Sequence, residues 1–105
     1  MRPAAVSEKQ FQAQILQFAD LTGWRCYHAF DSRRSQAGFP DLVLCRPPAI
    51  VFAELKSEGG KLRPEQREWL EALGSCRTVG ARLWRPSDWP EIEETLARPR
   101  REESA

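Results

Sequence analysis

A chain of 105 residues, 41% hydrophobic and 30% charged, has the size of one small domain and a globular composition, which argues against a disordered or multidomain protein. Its apolar runs fall far short of the ~20 residues that span a bilayer, and its first residues, MRPAAVSEKQ, hold no apolar signal-peptide core, so a cytoplasmic protein is expected. A net charge of +1 does not by itself announce a polyanion binder, and three separated cysteines with a single histidine argue against a structural zinc site, which wants four such ligands.

Ser7 is placed to cap a first helix, with Glu8 in its first turn and Phe11, Ile15, Phe18, Ala19 and Thr22 recurring on one face before Gly23. Residues 24–30 read as a strand in which Trp24 and Tyr27 pack inward, followed by a polar loop over 31–38. Strands over 41–46 and 50–57 are joined by Pro47, Pro48 and Ala49, too few residues for a crossover helix, so the pair is an antiparallel hairpin. Cys26 and Cys45 fall inside strands, where a free cysteine behaves as a small buried hydrophobe.

Gly59 and Gly60 break the second strand of the hairpin. Pro64 opens a helix over 64–74 with Trp69, Leu70 and Leu73 inward. A strand over 78–84 follows, then a helix capped by Ser87 with Pro90 in its first turn and Trp89, Ile92, Thr95 and Leu96 facing the core. The tryptophans Trp69, Trp84 and Trp89 sit at apolar positions, as core residues do. The order helix, three strands, helix, strand, helix predicts an α/β domain over residues 1–97, a small mixed sheet flanked by helices. The segment 50–84 forms a right-handed βαβ unit with parallel strands. Residues 98–105, RPRREESA, are a charged tail with no apolar periodicity.

The charges at the ends of the hairpin are its most informative feature. Asp41 begins one apolar strand, and Glu54 and Lys56 end the next on one shared face. Counting about residue 48 puts Asp41 opposite Leu55, and a slip of one residue aligns it with Glu54 or Lys56. Two carboxylates brought this close repel unless a cation joins them. Oxygen ligands in small number suit Mg²⁺ with phosphate oxygens completing its shell, and a nearby lysine suits charge stabilisation in phosphodiester hydrolysis. A plain cross-strand salt bridge accounts for the same three residues. Arg33, Arg34, Arg46, Lys61, Arg63 and Arg67 flank the segment, as a basic rim for a phosphate backbone or as a solvated surface of mixed charge.

The series GFPDLVL (38–44), ELK (54–56), GKL (60–62), PEQ (64–66), WL (69–70) and WRPSD (84–88) resembles, in order, the virus-type replication-repair nuclease (VRR-NUC) family of the PD-(D/E)XK superfamily, over residues 8 to 96. The resemblance implies a restriction-endonuclease-like core and a DNA endonuclease dependent on Mg²⁺ or Mn²⁺. Asp41 and Glu54 would be metal ligands with the backbone carbonyl of Leu55, and Lys56 would hold the attacking water or the scissile phosphate. Glu8 would complete the site through a metal-bound water, although a helix-dipole role beside Ser7 explains it as well. Gln66 matches a glutamine of the family's following helix, where an exposed helical glutamine is the alternative.

His28 is open between a general base and a structural or DNA-facing histidine, and Arg33, Arg34 and Lys61 are candidate phosphate contacts. Small members of the family imply a homodimer acting on branched DNA such as four-way (Holliday) junctions, in the cytoplasm of a bacterial or phage-infected cell, with no membrane and no organic cofactor. The competing functions are a nucleic-acid-binding module that no longer cuts, and a nuclease-fold enzyme working on RNA or as a subunit of a larger replication, repair or packaging assembly.

Overall fold

Ser7 opens the first helix as its sequence demands. Its hydroxyl accepts the Gln10 N–H at 3.0 Å, and the Gln10 side chain accepts the Ser7 N–H at 3.1 Å, a reciprocal cap that satisfies donors a helix start leaves open. In the computed structural model, which describes residues 6–28 and 36–99, this helix, α1, spans Glu8–Leu21. Phe11, Ile15 and Ala19 form its buried stripe, and Phe18 meets Trp89 edge-on at 5.7 Å between ring centroids.

Four strands follow, β1 Arg25–His28, β2 Leu42–Arg46, β3 Ala49–Leu55 and β4 Gly80–Trp84, hydrogen-bonded in the order β1-β2-β3-β4. The first three pair antiparallel, and β3 pairs parallel with β4 after the crossover helix α2, Pro64–Gly74. A short 3₁₀ turn, Pro86–Asp88, leads into α3, Trp89–Ala97. The predicted mixed sheet and its βα crossover are thus present.

The hairpin register decides where the charges meet. Arg46 pairs with Ala49 and Leu42 with Ala53, so the loop is only Pro47 and Pro48, joined by a cis peptide. Ala49 belongs to the strand rather than to the turn. Continued by one residue, this register sets Asp41 level with Glu54, the slipped alignment rather than the count about residue 48.

Strand alternation then sorts the side chains between two layers. Leu42, Leu44, Val51, Ala53 and Leu55 join Phe11, Ile15, Ala19, Trp24, Trp84, Ile92 and Leu96 in one core under α1 and α3. Val43, Phe52 and Glu54 face the other way, toward α2. There Phe39 packs edge-on against Phe52 at 5.9 Å and Trp69 at 5.0 Å. The expected inward face of α2 is only half-buried at Trp69, Leu70 and Leu73, and its fully buried residue is Gln66.

Several expectations are corrected by edge position. β1 is an edge strand, so Tyr27 is 65% exposed rather than packed. Cys26 is likewise exposed, and Cys45 is half-buried rather than fully so. β3 ends at Leu55, with Lys56 just beyond it. The last helix starts at Trp89 instead of at a Ser87 cap, because Ser87 lies inside the 3₁₀ turn Pro86–Asp88, where its N–H donates to the Glu58 carboxylate. Ala29 and Phe30 of the predicted first strand, Arg33 and Arg34 of the loop, and residues 100–105 of the tail lie outside the described residues. Among the described residues, no helix is long and apolar enough to cross a membrane.

Candidate active site

The approach to Asp41 begins at Gly38, whose φ is +86°, a conformation that residues with a Cβ rarely adopt. A Cβ there would lie 2.5 Å from the Glu65 carbonyl oxygen and 2.9 Å from the Gln66 nitrogen. Glycine therefore lets the chain pass directly against the start of α2. Phe39 then enters the aromatic cluster, Pro40 is buried, and Asp41 arrives at the mouth of the hairpin. Its Oδ2 accepts the Leu55 N–H at 2.9 Å, which fixes the carboxylate beside Glu54.

Glu54 is only 2% exposed. Its Oε2 accepts a hydrogen bond from Gln66 Nε2 at 2.9 Å and lies 3.6 Å from Lys56 Nζ. Its Oε1 is buried with no hydrogen-bond partner among the described residues. The Gln66 amide is oriented by its other end, because Oε1 accepts the Arg63 N–H at 2.8 Å. The glutamine thus closes the start of α2 and presents its NH₂ to Glu54 in one conformation. Burial, reinforced by the neighbouring Asp41 carboxylate, pushes the Glu54 carboxyl up to about 8, and Lys56 only partly opposes this. At neutral pH the pocket therefore favours a proton, or a cation, on Glu54.

The segment after Lys56 is held from the far side. The Lys56 N–H donates to the Trp84 carbonyl at 3.1 Å. Arg85 Nη1 donates to the carbonyls of Ser57, Glu58 and Gly60 at 2.7, 3.1 and 2.7 Å. Arg85 was not singled out as a site residue from sequence, although it stands in the WRPSD series. A guanidinium gathering three carbonyls converts that loop into a fixed support for Lys56.

The remaining candidates are distributed around this centre. Glu8 is exposed in the first turn of α1. Among the described residues no group of three or more His, Cys, Asp or Glu side chains is gathered to hold a metal, so Glu8 does not join Asp41 and Glu54 in a ready-made triad. His28 pairs with Leu42 and shares its face, the one turned away from Glu54. Lys61 is exposed in the loop between β3 and α2. Arg33 and Arg34 lie outside the described residues.

Arg46 does not belong to a rim around Glu54. It sits at the opposite end of the hairpin, donating to the carbonyls of Thr22, Leu96 and Arg98.

The pairing of Pro40-Asp41 with Glu54-Leu55-Lys56 across one hairpin is the spatial form of a PD-(D/E)XK motif. The family model for the VRR-NUC domain matches residues 4–83. The chain belongs to the VRR-NUC family. A solved structure, a VRR_NUC domain protein, superposes with a TM-score of 0.67, covering 88% of each chain at 17% identity, a likeness of fold. No curated protein matches. VRR-NUC domains are nuclease domains of the PD-(D/E)XK type, a type that works on DNA and typically uses divalent metals.

The donor set of this VRR-NUC domain suits such a cation. Two carboxylates converge, one of them carries an unpartnered buried oxygen, and an uncompensated buried carboxylate is costly until a proton or metal joins it. What can bind there is a hard, oxygen-seeking divalent ion with sites left for phosphate.

Proposed function

We propose that this domain is a metal-dependent endonuclease that hydrolyses DNA phosphodiester bonds, with Asp41 and Glu54 as the ligands of Mg²⁺ or Mn²⁺. The observation that carries this reading is Glu54 Oε1, buried without a partner beside the Asp41 carboxylate. A divalent cation bound there would draw charge from the phosphate oxygens and make water a better nucleophile. Asp41, held by the Leu55 N–H, and Glu54, held by Gln66, supply negative ligands in a fixed geometry. The Leu55 carbonyl is the third ligand in this proposal, and Glu8 acts through a water.

Lys56 directs its ammonium toward the water and the phosphate, opposing the negative charge that builds as oxygen adds to phosphorus. The P–O ester bond opposite the entering oxygen then breaks, and the departing oxygen takes up a proton in exchange for the one the attacking water gives up to solvent. Gln66 does not react; its hydrogen bond holds the Glu54 carboxylate in one orientation. Lys61, Arg33 and Arg34 are proposed to contact phosphates of the strand.

The preferred substrate in this proposal is branched DNA such as a four-way junction, cut by a homodimer. A single protomer of this size offers little surface to grip a junction, and a two-fold pair of sites makes two symmetric cuts. The deciding experiment incubates the protein with a four-way junction, linear duplex and plasmid in Mg²⁺, Mn²⁺ or EDTA, with light scattering for its oligomeric state. Metal-dependent cleavage of the junction ahead of the duplex is expected, lost in Glu54→Ala and Lys56→Ala. Retention of DNA without cleavage in either metal would leave a binding module instead.

A further inference from the structure

Positive charge collects at the end of the sheet away from Glu54. A cavity of about 370 Å³ opens there beside the hairpin turn and the start of β4, and four arginines, Arg46, Arg77, Arg82 and Arg98, line it with no carboxylate among the described lining residues. In a chain whose net charge is +1, this is a strong local excess, and its members differ in how far they are engaged. Arg46 is anchored: it donates to carbonyls at the ends of α1 and α3, and its guanidinium lies 4.8 Å from the centre of the Trp24 ring. Even so, its Nε is buried with no partner among the described residues, the signature of a donor awaiting water or an anion.

Arg82 folds its guanidinium back over Gly80, where an added Cβ would come within 3.3 Å of Nη1, and shares part of its charge with Glu91 at 3.6 Å. Arg77 and Arg98 enter no ion pair among the described residues, so two guanidinium groups remain uncommitted, and Thr78 and Thr95 line the same cavity. Guanidinium groups match tetrahedral oxyanions through paired N–H donors.

We propose that this cavity is a second anion site, taking phosphate groups and separate from the Asp41–Glu54 centre. Ile50 lines the cavity and Glu54 lies four residues along the same strand, roughly 13 Å away at the usual rise. Val51 of the cavity also faces the side of the sheet opposite to Glu54. One phosphate cannot bridge both places, so the cavity holds either a backbone phosphate of a longer strand or a free phosphate ligand. The strand alternative rests on the nuclease reading above; the free-ligand alternative does not.

The test is binding in EDTA, where cleavage is silent. Inorganic pyrophosphate is titrated by calorimetry, and a fluorescent DNA duplex by anisotropy at several salt concentrations, against the wild type and Arg77→Ala/Arg98→Ala. Because those two side chains hold no partner among the described residues, the variant is expected to melt with the wild type; Arg77→Gln/Arg98→Gln serves if it does not. Pyrophosphate binding weakened about tenfold or more, with Glu54→Gln unaffected, supports the site.

A parallel loss of DNA affinity, with the salt slope falling by about 0.9 for each phosphate contact removed, identifies the ligand as strand backbone. Loss of pyrophosphate alone identifies a free phosphate ligand. Failure of the wild type to bind either probe, or equal binding by wild type and variants, overturns the proposal. A wild type that binds both probes but never cleaves DNA would leave this site standing and remove the nuclease reading.

Discussion

Gln66 Nε2 sits 2.9 Å from Glu54 Oε2, and the same glutamine accepts the Arg63 N–H through its Oε1. One side chain therefore ties the start of α2 to the most deeply buried carboxylate among the described residues. The fold and the site share this hydrogen bond, so changes at Gln66 separate the two in a readable way.

Gln66→Leu roughly keeps the volume but leaves the Arg63 N–H unpaired and strips Glu54 Oε2 of its hydrogen bond, with only Lys56 left beside it. A buried polar group so orphaned costs about 1–3 kcal/mol, which for a domain of this size lowers Tm by several degrees. Gln66→Glu places a third carboxylate against Glu54. It should be less stable than wild type in EDTA at pH 8 and recover in Mg²⁺ or Mn²⁺, whereas Gln66→Leu should not recover in the same way. Thermal melts with and without metal check this; equal metal responses from the two variants would remove Gln66 from the site.

The Glu54 carboxyl, raised from 4.5 to about 8, fixes the sign of a pH effect. Between those values the folded state holds a proton that the unfolded chain has lost, so this group makes stability fall as pH rises from about 4.5 to about 8 and leaves it level beyond. A divalent cation prefers the ionised carboxylate. Its apparent affinity should therefore climb over the same window, and its binding near pH 7 should release close to one proton. Calorimetry in buffers of different ionisation enthalpy reads that proton. Glu54→Gln removes the slope attributable to this group, and a wild-type slope in EDTA indistinguishable from that of the variant would refute the assignment.

Gly38→Ala tests the entry to the site. The added methyl meets backbone at 2.5 Å rather than a side chain that can swing aside, and φ of +86° strains it further. Destabilisation of about 2 kcal/mol or more is expected from the combined strain and displacement. Because the displaced atoms belong to Glu65 and Gln66, activity should fall further than the melting temperature alone explains. Cleavage measured well below the transition distinguishes the two effects.

Much of this was legible in the chain. Period-3.6 patterning and the Ser7 cap placed α1, and Pro64 placed the start of α2. The proline-rich link between two apolar runs gave the hairpin, and with it the convergence of Asp41, Glu54 and Lys56. The register was not legible to one residue, because whether Ala49 turns or pairs depends on the backbone of Pro47 and Pro48. Edge position defeated the burial of Tyr27 and Cys26, since alternation does not reveal which strand lacks a neighbour. Arg46 and Arg85 were misjudged or passed over for one reason: their partners are backbone carbonyls distant in sequence, which leave no side-chain pattern to find.

Glu54→Gln should separate stability from activity. In the wild type without metal, Glu54 is buried beside Asp41 with an oxygen that has no donor, and Lys56 at 3.6 Å does not offset that burial. A neutral amide of the same shape can still accept from Gln66, and its own NH₂ can donate toward Asp41. In EDTA at pH 8 the variant should therefore be more stable than wild type, on the order of 1 kcal/mol or more, since each unit by which a pKa is raised corresponds to about 1.4 kcal/mol. Cleavage should nevertheless fall by more than about 100-fold, the scale of losing one group that stabilises the transition state, and added metal should stabilise the variant far less than the wild type. A residue kept for packing would lose stability when altered. Gain of stability with loss of cleavage is the result expected of a carboxylate held in an unfavourable place because the reaction needs it there.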